Sequence, residues 1–401
     1  MMSTAIPIAL LKAESSRDSA ELAADFEQIE KYYSIYKKGA TFQVEGASDD
    51  YIPADLRYKM STSLINKQAR FLFAEPPDIL IEPNDSIGKL TENDTTAVSR
   101  LNALVRTILY ANKFEEALVK AAKDCFIGKR VAGVVNFDEE YGVTLTFIPS
   151  TQFVFETDFY NSNVIEKFVC FKAYRDDEGK KRIYKKKYTL EDGVVFLEET
   201  IIDESGDVVE VAIEKQKTLL TAIPVAVFIN DGLTGELSGE SEIEVLEDFE
   251  SWYSKMSNAD IDAGRMNMNP VRYTVDMEPN ATKGLRSRPG EYWDLATNQS
   301  QDVSKAMVGT LENRMAYSEP LKTTLDRIKT SAYEQVDMPN ITLETMMGVI
   351  TSGKSLKALY WSLIVRSKEK MKVWGPQLRH LITMHSDLLG RWCNIPTSNP
   401  L

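Results

Sequence analysis

Histidine and cysteine are scarce in this chain, and their scarcity removes several chemistries at the outset. Two histidines, His380 and His385, stand five apart in a stretch of helical periodicity, about 140° apart around the axis and unable to share a metal. Ser-His-Asp catalysis would have to recruit one of this pair, and no isolated pair of carboxylates stands out for acid–base work. The three cysteines, Cys125, Cys170 and Cys393, have neither C-x-x-C spacing nor a neighbouring histidine, so free buried thiols are expected rather than a zinc site or redox pair. No run approaches the roughly 20 apolar residues of a membrane span. Met1 to Leu11 also lacks the charged start and cleavage site of a signal peptide. A soluble protein, intracellular when made and without membrane contact, is expected. Cations are in deficit as well: 47 Lys and Arg against 60 Asp and Glu leave a net charge of -13. Sequence-independent clamping of DNA rests on cations that neutralise phosphates, so the balance argues against a clamp. It is compatible with a wall past which a duplex slides.

What is present is enough for a large core. With 401 residues, 43% of them hydrophobic, the chain can form two or three folding units. Three- and four-residue spacing of Leu22, Phe26, Ile29, Tyr33 and Tyr36 predicts a helix over 18–38 ending at Gly39, and similar spacing predicts helices over 55–74 and 101–128. From Lys129 to Ile229 short β-branched and aromatic runs alternate with turn signals such as DDEGKK and DESGD, predicting a β-rich unit built largely of hairpins. Its basic run Lys180–Lys187 reads as a charged hairpin edge that blocks unwanted strand pairing. Ser241 and Glu244 have capping-box spacing and open a helix that Gly264 would stop. One face of that helix is apolar and the other acidic, with Glu244, Glu247, Asp248 and Glu250 expected on a solvated face or, in a ring, toward a channel or neighbouring subunits. Residues 265–310 break the pattern with Pro and Gly and hold one strand, VRYTV. Helix resumes near Glu312, and a last helix over 355–390 carries Gly375 and Pro376.

Residues 348–355, GVITSGKS, fit the phosphate-loop pattern G-x-x-x-x-G-K-[ST] at every required position. Such a loop must follow a buried parallel strand and open a helix within a larger sheet. The preceding ITLETMMG is a poor strand, only 46 residues follow Ser355, and no Asp ends an apolar strand. Nucleotide binding is therefore not expected. An ATP-driven DNA-packaging motor remains the alternative that rests on this segment alone.

Taken in order, several segments resemble the portal proteins of tailed phages, especially those of phages and prophages of Gram-positive bacteria. They are KYYSIYKKGA with LINKQARFLFAEPPDILIE, then IGKRVAGVVNFDEEYGVTLTFIPSTQFVFETD. IPVAVFINDGLTGELSGESEIEVLEDFESWYSKMSNADID and VDMPNITLETMMGVITSGKSLKALYWSL follow. The AEPP turn departs from the family's more usual Gly-Pro. The resemblance implies a structural, non-enzymatic, cofactor-free subunit with an α+β portal fold. A mixed α/β wing would span 1–239, a first stem helix 240–264, a clip 265–310 and a second stem helix 311–335. A tunnel loop over 336–354 and a kinked helix with a short crown over 355–401 would complete it. It further implies a closed ring, usually of twelve subunits, at the capsid vertex of the virion, assembled in the host cytoplasm. Its expected partners are double-stranded DNA, the terminase packaging motor, a neck adaptor, and the major capsid and scaffolding proteins. Under this reading Asn340, Thr342, Thr345, Met346, Met347, Ser352 and Lys354 form the channel loop, and Lys283, Arg286 and Arg288 of the clip dock partners.

Overall fold

A computed structural model describes residues 6–44, 52–82, 92–138, 142–233, 235–268, 271–275, 307–311, 316–341 and 357–392. The fold is α+β. The chain divides into a larger unit (Met1–Ala40, Lys59–Glu250 and Ser331–Leu401) and a smaller one (Thr41–Tyr58 and Ser251–Thr330).

The larger unit opens with helices α1 (Ile8–Ala13) and α2 (Ser19–Lys38). Asp18 caps α2, its Oδ1 accepting from the amides of Ala20 and Glu21 at 2.8 and 3.1 Å. Gly39, at φ 86, closes it, a backbone geometry that glycine adopts without strain. Helix α3 (Met60–Leu72) is shorter than its periodicity suggests. The stretch predicted as a single helix up to Gly128 is two, α4 (Glu92–Ala111) and α5 (Phe114–Gly128), broken where Lys113 turns to a left-handed φ of 50.

Eight strands follow: β1 (Arg130–Asp138), β2 (Gly142–Pro149), β3 (Phe153–Thr157), β4 (Ile165–Arg175), β5 (Lys181–Glu191), β6 (Val194–Ile202), β7 (Val208–Lys217) and β8 (Val225–Ile229). They form a three-stranded sheet, β2-β1-β8, and a five-stranded meander, β3-β4-β5-β6-β7. Period-2 alternation lets the meander bury both faces. Val154, Val169, Phe171, Ile183 and Ile202 pack under α1 and α2. Phe153, Phe168, Tyr188 and Val195 pack on Ala132, Val134, Val225 and Val227 of the smaller sheet.

The basic run lies in β5, the middle strand, and is not an edge. Lys185 and Lys187, two residues apart and so on one face, meet Glu14, the latter at 3.1 Å, while Lys186 on the other face meets Glu199 at 3.1 Å. The lysines are held by carboxylates from elsewhere in the fold and do not guard a hairpin edge.

After β8 comes helix α6 (Glu242–Met268), which runs through Gly264 instead of stopping there. Its first turns belong to the larger unit and the rest to the smaller. Strands β9 (Val271–Val275) and β10 (Met307–Leu311) pair antiparallel. Helices α7 (Ser318–Gln335) and α8 (Trp361–Trp392) complete the described chain. Helix α8 continues through Pro376, which has no N–H to offer the Lys372 carbonyl. Trp374, 1% exposed, packs on Phe73 and Phe228, with ring centroids 5.2 and 4.4 Å apart. Where Leu381 crosses β1, Gly133 leaves the room: a Cβ there would stand 2.9 Å from the Leu381 side chain.

In the smaller unit, residues 52–58 are extended rather than helical and lie along α6. The amides of Tyr58, Leu56 and Ala54 donate to Ser254 Oγ (3.2 Å), Asn258 Oδ1 (2.8 Å) and Asp262 Oδ2 (3.0 Å). Two extended residues advance about 6.6 Å and four helical residues about 6 Å, so alternate amides meet side chains one turn apart. This ladder competes with helix formation and delays the start of α3.

Candidate functional site

The described residues from Asn230 to Glu250 concentrate constrained polar geometry. Asn230 ends β8 and ties the next turn back: its amide donates to the Lys129 carbonyl at 2.8 Å and its carbonyl accepts from Glu240 at 2.7 Å. Gly239 sits at φ 73, and a Cβ there would lie 2.7 Å from the Lys129 carbonyl oxygen, so both backbone conformation and space demand glycine. Ser241 accepts from the Ile243 amide at 3.1 Å and donates to the Ile127 carbonyl at 2.7 Å. It thus caps α6 and fastens it to the end of α5.

Glu242, 2% exposed, occupies the first turn of α6, where the helix dipole favours a carboxylate. Arg366 donates through one nitrogen to both of its oxygens at 2.9 Å, and Lys370 donates at 2.7 Å. Lys370 also donates to Asn230 Oδ1 at 2.6 Å and Asp231 at 3.1 Å. Arg366 reaches Asp337, just past α7, at 3.1 Å. One node, buried at Glu242 and Lys370 and open at its Asp231 and Asp337 rim, therefore joins the end of β8, the start of α6, the end of α7 and one face of α8. Burial by itself would raise the Glu242 carboxyl. Lys370 and Arg366 more than offset that and hold it at about 2, below the ordinary 4.5.

The acidic residues assigned to one face of α6 separate into different environments. Glu250 is completely buried and accepts from the amides of Ala40 (2.8 Å) and Ser61 (2.7 Å). Glu247 pairs with Lys31 at 2.7 Å. Glu244 lies near the Tyr32 hydroxyl, whose pKa rises through burial first and this carboxylate second. Asp248 is exposed. A uniformly solvated face is thus the wrong description for Glu242 and Glu250, which fasten the helix internally. Sequence reasoning missed Arg366 and Lys370 altogether, although their i,i+4 spacing put both on one helical face.

Of the expected channel-loop residues, Asn340 is described and partly buried. Thr342, Thr345, Met346, Met347, Ser352 and Lys354 lie outside the described residues, as do Lys283, Arg286 and Arg288 of the clip and Cys393. Cys125 and Cys170 are free thiols, the first buried and the second partly so. Among the described residues no cluster could hold a metal ion, and no helix is long and apolar enough to cross a membrane. Every strand pairing described is antiparallel, whereas a phosphate loop belongs to a parallel sheet. Nothing here favours the motor alternative.

Residues 17–400 match the family model described as phage portal protein, SPP1 Gp6-like. The chain belongs to the phage portal protein family. No curated protein matches it. In this portal chain, the stretch from Asn230 through Gly239, Ser241 and Glu242 lies in one of the segments that together carried the resemblance, and each of those residues has a defined structural task.

Proposed function

We propose that this chain is the subunit of a ring set in a capsid vertex, a conduit through which DNA is packaged and later ejected. The observation that carries the reading is the family match across residues 17–400. In this reading copies of the chain, twelve if it follows the usual family number, enclose double-stranded DNA. The net charge of -13 lets a duplex pass without being gripped. Residues 1–239 form the wing, the segments 240–264 and 311–335 the two stem helices, and 355–401 the crown side toward the capsid interior. The clip, 265–310, presents Lys283, Arg286 and Arg288 to the terminase motor and then to the neck adaptor. The loop 336–354, with Asn340, Thr342, Thr345, Met346, Met347, Ser352 and Lys354, forms a collar that touches DNA through neutral groups. Major capsid and scaffolding proteins hold the ring in the shell. The node at Glu242 fixes the roots of both stem helices and requires no cofactor.

Electron microscopy of the purified protein, with an ATPase assay on the same sample, tests this. Rings with an axial hole and no hydrolysis are expected. Monomers that hydrolyse ATP would overturn the reading.

A further inference from the structure

Helices α6 and α8 meet through Glu242, Arg366 and Lys370, and their outward faces carry charge of opposite sign. Lys368 and Lys372 flank Lys370 two residues to either side, about 160° round α8 from it. Both are exposed, and among the described residues neither side chain has an ion pair or a hydrogen bond. Arg379, about two turns beyond Lys372, is exposed and unpaired in the same way. Trp361 and Val365, 62% and 37% exposed, lie within about 60° of both lysines. Glu369 borders this face, which leaves the cations in excess.

On α6, Glu244 and Asp248 stand about 160° and 120° round from Glu242. Both are exposed, and no described cation pairs with either; Lys31 goes to Glu247 instead, at 2.7 Å. Val245, 42% exposed, lies three residues before Asp248. Glu242 points to α8 and Lys370 to α6, so the free lysines and the free carboxylates leave this helix pair on opposite sides. All of them belong to the larger unit. Within each helix two like charges stand at i,i+4, which repels in the isolated chain and is relieved by an opposite charge. Duplex DNA would supply that charge to the lysines, but it offers nothing to Trp361 and Val365 beside them or to the carboxylates of α6, and a chain at -13 repels it. A second copy answers both faces at once.

We propose that the outer face of α8 in one copy, Lys368 and Lys372 with Trp361, Val365 and Arg379, docks on the outer face of α6 in the next, Glu244 and Asp248 with Val245. Each charged pair spans one helical turn, about 6 Å, so the two pairs match in length. Trp361 anchors the apolar part of the contact, a role in which tryptophan is enriched at interfaces. Two unlike patches on opposite sides of one helix pair make a heterologous contact, which closes into a ring when the rotation allows. The proposal rests on the ring reading above and assigns one of its interfaces.

Charge reversal tests it. Lys368→Glu with Lys372→Glu, and separately Glu244→Lys with Asp248→Lys, alter side chains exposed in the isolated chain, so thermal unfolding of the dissociated protein should match the parent's. Followed by mass photometry across a dilution series, each reversed chain should need about tenfold or more concentration to assemble, because like charges then meet across the contact. An equal mixture of the two reversed chains should assemble as the parent does, since an acidic α8 face then meets a basic α6 face and the reverse. Singly reversed chains that form rings as persistent as the parent's would overturn the contact and leave the portal reading standing, as would rings that form normally while only DNA binding is lost. Reversed chains that fail alone and also fail when mixed would overturn it too, because their charges would then act elsewhere. A parent that never forms rings would sink both readings.

Discussion

Replacing Glu242 by Gln keeps the shape of the side chain and removes the charge on which the node at the head of α6 depends. The magnitude follows from the carboxyl itself. It is held at about 2 against an ordinary 4.5, a difference of about 2.5 units, or about 3 kcal/mol at 1.36 kcal/mol per unit. The folded-state value is depressed, so this stability is fully present above pH 4.5 and is lost as pH falls toward 2. Glu242→Gln should cost about 3 kcal/mol near neutral pH, because Lys370, 6% exposed, stays buried with a weaker partner set. It should also flatten the acid limb of the stability curve between pH 4.5 and 2. Urea unfolding followed by tryptophan fluorescence suits the measurement, since Trp374 lies one turn beyond Lys370 on α8. Adding Lys370→Met should cost less than the sum of the single effects, with a coupling on the order of 1–3 kcal/mol. A Glu242→Gln protein within about 0.5 kcal/mol of the parent, with the acid limb unchanged, would refute this account of the node.

His385 is fully buried, and neither ring nitrogen has a partner among the described residues. Burial lowers it to about 4 from 6.5, so the unfolded chain takes up a proton first. Stability should decline by about 3 kcal/mol from pH 6.5 to 4, and His385→Leu should remove that decline in a pH series of melts. Glu250→Ala strands two buried amides and should cost about 2–4 kcal/mol in chemical denaturation, while Asp248→Ala should be within about 0.5 kcal/mol of neutral. Replacing Lys283, Arg286 and Arg288 together by Ala should spare ring assembly and weaken capture of the packaging motor and neck adaptor in pull-downs. Unaltered binding to both would remove these cations from the mechanism. Deleting 340–347 should permit rings and reduce packaged DNA measured by nuclease protection. Packaging and retention equal to the parent's would show that the loop is no collar.

Much of the fold is legible because apolar periodicity reports burial directly. The helix at 18–38, with its Asp18 cap and Gly39 stop, and the switch to period 2 at Lys129 follow from that rule. The break at Lys113 does not, because Leu109, Phe114 and Leu118 are all buried and the apolar pattern runs on past the left-handed residue. The extended stretch over 52–58 was hidden for a different reason. Leu56 and Met60 keep helical spacing, but the amides of this stretch are taken by side chains about 200 positions later in the chain. The Lys180–Lys187 run misled because charge alone suggests an edge. Pairing with β4 and β6 places it centrally, and its charge is met by Glu14, 171 residues away from Lys185, a partner no local pattern contains.

The candidate site shows where a motif carries more than periodicity does. Alternation of Glu along α6 looks like a water-facing surface, yet Glu242 and Glu250 each stand four residues from Leu246, on the stripe that Ile243 and Leu246 bury. The sequence held that angular signal, and the abundance of acid around it concealed it. Arg366 and Lys370 are harder to find, since charged residues along a helix face read as a solvated surface. Their role appears only when α8 is laid against the start of α6, 124 residues or more away in the chain. Asn230, Gly239 and Ser241 are different. Each has a backbone task that few residue types can perform, so their spacing survives as a recognisable signature even where partners are unknown. One of the segments behind the family resemblance and the physical node share these residues because local backbone demands are written locally, whereas the charges that lock them in place are supplied from across the fold.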